Sequence, residues 1–83
     1  MAFGAEMITF RQNVCINFFE KQNAYSYDTA IASSYVFNNP QIHMRTIGNL
    51  IKSGVIVEKN DKLYLDKSAT RKFKKSIKRY FLV

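Results

Sequence analysis

The chain has 83 residues, 47% of them hydrophobic and 14% aromatic, and a formal net charge of +7. That length makes one domain, that apolar content excludes a disordered chain, and no apolar run approaches the roughly 18 residues that a membrane span needs. A lone cysteine, Cys15, cannot form an internal disulfide, so nothing points to secretion, and the expected compartment is the cytoplasm, on a nucleoid or its equivalent.

Residues 1–8 read as a leader without the basic start of a secretory signal. Thr9-Phe10-Arg11-Gln12 has the pattern of a capping box, with Ile8 before it as a staple, so the first helix is predicted to begin at Thr9. Phe10, Val14, Cys15, Phe18 and Phe19 recur at helical spacing and predict its buried face. The helix fades near Lys21-Gln22-Asn23. A short extended piece over residues 24–26 precedes a second helix over residues 27–36, with Ser26 as its cap, Asp28 in its first turn, and Ala30, Ile31, Ser34 and Tyr35 on one side.

Asn38-Asn39-Pro40 breaks the chain, and Pro40 suits the first position of a third helix over residues 40–53. Met44, Ile47, Leu50 and Ile51 predict its buried stripe, with His43 at the edge and Gly54 as the stop. Val55-Ile56-Val57-Glu58 and Leu63-Tyr64-Leu65 are strand-like, and Asn60-Asp61 between them suits a tight hairpin. Asp66 or Ser68 caps a last helix, in which Phe73, Ile77, Tyr80 and Phe81 form an apolar stripe.

The predicted class is therefore mainly α with a small β-hairpin, an α+β domain in the order helix, short strand, helix, helix, hairpin, helix. Met44-x-x-Ile47-x-x-Leu50-x-x-x-Gly54-Val55-Ile56, followed by the hairpin to Leu65, resembles the winged helix-turn-helix superfamily. The resemblance spans residues 9–80 and implies a DNA-binding domain whose third helix enters the major groove. Two features depart from the pattern. The turn before the third helix carries asparagines and a proline in place of the usual glycine, and the wing is short with balanced charges.

Charge is distributed unevenly. Residues 1–66 hold six basic and six acidic side chains; residues 67–83 hold Lys67, Arg71, Lys72, Lys74, Lys75, Lys78 and Arg79 and no acid. Such asymmetry points to a polyanion, with double-stranded DNA preferred over a membrane surface. On the third helix the outward residues are predicted to be Gln41, Ile42, Arg45, Thr46, Asn49 and Lys52. The first five are candidates for base reading, because Arg can pair with guanine, Gln or Asn with adenine, and a methyl can meet thymine. Phosphate contacts are expected from Lys52, from Lys59 and Lys62 of the wing, and from Arg71, Lys72, Lys74, Lys75, Lys78 and Arg79 of the last helix.

Catalysis finds no foothold: the six carboxylates are scattered and no glycine loop cradles a phosphate. His43 and Cys15 alone make neither a triad nor a zinc site, so no metal or cofactor is expected; His43 reads as structural or phosphate-facing. The expected role is a small transcriptional regulator. A protein-docking module without DNA and a replication or recombination accessory protein stay open beside it. The apolar end Phe81-Leu82-Val83 points to a partner or to a homodimer through the C-terminal helix.

Overall fold

A computed structural model describes residues 5–75. They form a small α+β unit of four α-helices and a three-stranded antiparallel sheet. In chain order the elements are α1 (Ala5–Lys21), a 3-10 turn (Tyr27–Thr29), β1 (Ile31–Ala32), α2 (Ser33–Phe37), α3 (Met44–Lys52), β2 (Ile56–Lys59), β3 (Lys62–Leu65) and α4 (Lys67–Lys75). Residues 1–4, and the Ile77, Lys78, Arg79, Tyr80, Phe81, Leu82 and Val83 invoked above, lie outside the described residues.

Helix α1 starts earlier than its capping pattern predicts. Residues 5–8, read as leader, are helical, and Thr9 sits inside the helix with its hydroxyl buried and unbonded among the described residues. Its buried face is Gln12, Cys15, Ile16 and Phe19, shifted from the predicted stripe: Phe10 is 63% exposed, while Val14 and Phe18 are half-buried. The end is sharp. Asn23 adopts φ 53°, and the N–H groups of Asn23 and Ala24 donate to the carbonyls of Glu20 and Phe19. This is a Schellman closure with asparagine tolerating the left-handed position.

The predicted second helix is broken in three. Ser26 N–H donates to Thr29 Oγ1 at 3.3 Å and closes the 3-10 turn. Ile31 and Ala32 then pair with Leu63 and Lys62 as β1, in place of the extended piece expected at residues 24–26. The open edge of β3 offers backbone partners and a buried slot for β-branched Ile31, and that long-range pairing overrides local helix propensity. Only Ser33–Phe37 is helical, with Ser33 and Val36 inward and Ser34 and Tyr35 exposed.

Strand β3 is central, in the order β1-β3-β2. Asn60 (φ 51°) and Asp61 (φ 62°) make the two-residue turn of the β2–β3 hairpin, as their sequence predicts, with Lys59 opposite Lys62. Leu63 and Leu65 point into a core shared with Ile16 and Phe19 of α1, Ile47 and Leu50 of α3, and Phe73 of α4. Asp66 caps α4: its Oδ1 accepts from Ala69 N–H at 2.8 Å, and its carbonyl accepts from the Thr70 hydroxyl at 2.7 Å.

Candidate nucleic-acid interface

Helix α3 begins at Met44 and not at Pro40. Asn39 Oδ1 accepts from Gln41 N–H at 2.9 Å, and its carbonyl accepts from Ile42 N–H, so Pro40 and Gln41 form a turn instead of a first helical turn. His43 is the N-cap. Its Nδ1 accepts from Thr46 N–H at 3.3 Å and lies 2.9 Å from Thr46 Oγ1. At the other end Gly54, with φ 87°, closes a second Schellman motif, in which Val55 N–H donates to the Leu50 carbonyl.

This late start changes which residues face out. Ile42, predicted on the outward face, is only 6% exposed and fills the core position ahead of Ile47, while Met44 is 57% exposed in the first turn. Thr46 is buried too, with its hydroxyl turned to the cap. Neither Ile42 nor Thr46 presents a surface to a base edge, which corrects the sequence expectation. Gln41, Arg45 and Lys52 are exposed and Asn49 is half-exposed. Arg45, Asn49 and Lys52 are spaced i, i+4 and i+7, within about 60° of the helix circumference.

A groove of about 820 Å³ opens between this end of α3 and the N-terminal half of α1. Gln41, His43, Arg45 and Asn49 line it from one side, and Ile8 and Arg11 from the other. No carboxylate lines it among the described residues. Burial first, then the positive charges of Arg11 and Arg45, hold the His43 imidazole below its ordinary value, so the neutral form that accepts from Thr46 is favoured. Beneath the groove the Cys15 thiol is buried and pushed up to about 11 by that burial, opposed by the His43 backbone N–H. It is a core filler, with no nucleophilic character.

Gly48 lies three residues from Arg45, inside α3. A Cβ added there would meet nothing within 4 Å, so no packing within the protein requires glycine. Arg11 and Gly48 are the site features that the sequence reading missed. Nothing in one helix's periodicity tells which side of α1 meets the end of α3.

The remaining predicted cations occupy two other places. Lys59 and Lys62 of the hairpin lie over the ring of Tyr27, 5.6 and 5.1 Å from its centroid, and Asn60 Nδ2 donates to the Tyr27 hydroxyl at 3.4 Å. Arg71, Lys72, Lys74 and Lys75 are exposed on α4. Lys74 Nζ pairs with Glu20 Oε2 at 3.1 Å, and Lys67 Nζ lies 5.1 Å from the centroid of the Tyr25 ring. A smaller groove between the end of α1 and α4 is lined by Glu20, Tyr25, Lys67, Thr70, Arg71 and Lys74.

Arg11 and Glu20 are nine residues apart on one helix. Nine residues are about two and a half turns and about 13.5 Å of rise, so the two side chains leave α1 on opposite sides. The α3 groove and the α4 groove are thus not neighbours. Among the described residues no three His, Cys, Asp or Glu side chains converge as metal ligands, and no helix is long and apolar enough to cross a membrane. Compared with known proteins, the chain matches no family model, no curated protein and no solved structure.

Proposed function

We propose that this chain is a DNA-binding domain of the winged helix-turn-helix kind, acting as a small transcriptional regulator, with α3 reading the major groove. The observation that carries the reading is the acid-free groove in which Arg45, Asn49 and Gln41 of α3 and its approach face Arg11 of α1. These are the side chains that bond to base edges and phosphates, and no carboxylate among the described lining residues opposes a polyanion. The succession of helix, strand, helix, helix and hairpin, and the order β1-β3-β2, support it. Gly48 adds a second support. A mid-helix glycine costs about 1 kcal/mol relative to alanine, and close approach of a DNA backbone gives that cost a purpose.

Site selection from a randomised duplex pool tests the reading. Wild type is expected to enrich a motif. Arg45→Ala/Asn49→Ala is expected to bind that motif no better than random duplex, a loss of about tenfold or more, because each bidentate base contact is worth about 1–3 kcal/mol. A double variant that keeps the wild-type preference removes α3 from the interface. A second reading, protein docking without DNA, is favoured by Met7 and Phe10, which stand exposed on α1. It expects the same double variant to change nothing and wild type to select no sequence.

A further inference from the structure

We propose that one copy of this chain holds two duplexes at once, one on α3 and one on the basic face of α4, and so bridges separate DNA segments. The inference rests on the DNA reading of α3 and adds a second site for the same class of ligand.

The α4 face is organised for a polyanion. Lys67, Arg71, Lys74 and Lys75 fall within an arc of about 100° on the helix, and Thr70 and Phe73 occupy the buried side. From Lys67 to Lys75 the arc is about 12 Å long, which matches three to four phosphates of one strand at 3.4 Å each. Among the described residues Glu20 is the one carboxylate lining this face, and it is matched by Lys74. No carboxylate of the described residues pairs with Arg71, Lys72 or Lys75.

The chemistry of this face favours DNA over a lipid surface. A helix that lies in a bilayer interface needs an apolar half beside its basic half. The one large apolar side chain of α4, Phe73, is buried in the core.

Placement makes the two faces separate sites. The α3 groove includes Arg11, and the α4 groove includes Glu20; these residues leave α1 on opposite sides, about 13.5 Å apart along its axis. A duplex seated against α3 and Arg11 therefore leaves the α4 arc pointing away from it. The charge excess of the C-terminal segment then serves a second duplex and not the first.

The test is a capture assay. A biotinylated duplex on beads, of about 30 base pairs, is incubated with protein and a second, fluorescent duplex, while anisotropy follows single-duplex binding in parallel. Wild type is expected to retain the second duplex on the beads. Lys67→Ala/Arg71→Ala/Lys75→Ala is expected to lower that capture about tenfold while keeping binding to its selected site. Arg45→Ala/Asn49→Ala is expected to abolish preference for the selected site while keeping salt-dependent binding to any duplex, through α4 and with a slope of about −3. Capture that survives the α4 variant overturns the proposal and assigns bridging to two α3 faces of a dimer. Absence of capture by wild type, with single-duplex binding and site preference intact, overturns it and leaves the α3 reading standing. Absence of any duplex binding removes both.

Discussion

The N–H of Thr46 donates to Nδ1 of His43, and the Thr46 hydroxyl lies 2.9 Å from the same nitrogen, so the first turn of α3 hangs on one unprotonated ring nitrogen. A cap that must accept is lost when the imidazole gains its second proton. Burial, then Arg11 and Arg45, hold the group below its ordinary value of 6.5. The folded state therefore favours the neutral ring. Its contribution is fully present above about pH 6.5, falls as the pH drops through the lowered folded value, and is then gone. Thermal unfolding of wild type and His43→Asn between pH 8 and pH 5 measures this. Asparagine caps without titrating, so the variant is expected to lose less stability over that interval. Parallel curves would show that the cap is not pH-linked.

Much of the fold was legible, and the misses share one cause. Gly54 as a stop, Asn60-Asp61 as a turn and Asp66 as a cap are local chemistry, in which the deciding partner lies within a few residues. The fate of Ile31 and Ala32 was decided by β3, some thirty residues away, and no helical pattern at residues 27–36 could announce that. The α3 face was half legible. Arg45 and Asn49 emerged as expected, but Asn39 spent its side chain on a turn and moved the helix start, which buried Ile42 and Thr46 and exposed Met44. That Arg11 joins the groove depended on how α1 and α3 pack, which neither helix records by itself.

Gly48 separates stability from function. Its added Cβ meets nothing within 4 Å, so Gly48→Ala relieves the helix of its most flexible residue at no packing cost. It is expected to stabilise the fold by about 0.5–1 kcal/mol. If α3 approaches a DNA backbone closely at this position, the same methyl group weakens binding. Urea unfolding together with duplex titration reads both effects. A variant that is more stable and binds as well as wild type would remove Gly48 from the interface.

Tyr27 holds together a hairpin that places two lysines directly opposite each other. Like charges across a strand pair repel, and the ring face under both ammonium groups offsets this, each cation–π contact being worth about 0.5–1 kcal/mol at an exposed site. Tyr27→Ala is expected to cost about 1–2 kcal/mol, more at low salt than at high salt. Tyr27→Phe keeps the ring and loses only the long bond from Asn60, so it should fall within about 0.5 kcal/mol of wild type. Chemical denaturation of both variants at two salt concentrations distinguishes a charge-screening ring from simple packing, which salt would leave unchanged.

Glu20 works against the charge of α4. Its pair with Lys74 is exposed on both partners, and such pairs contribute little, about 0.2–1 kcal/mol. Glu20→Gln is therefore expected to change stability by less than about 1 kcal/mol. Its effect on binding is of the opposite kind. The substitution removes the one carboxylate that lines the α4 groove among the described residues and releases Lys74 from it. A lysine no longer matched by a carboxylate can neutralise a phosphate, and each such contact steepens the salt dependence by about 0.9 in the log–log slope. Binding of random duplex is expected to strengthen at low salt and to show the steeper slope. Preference for the α3 site should not change, because Glu20 leaves α1 on the side away from Arg11. An unchanged slope would mean that Lys74 reaches no phosphate, and would restrict the α4 contact to Lys67, Arg71 and Lys75.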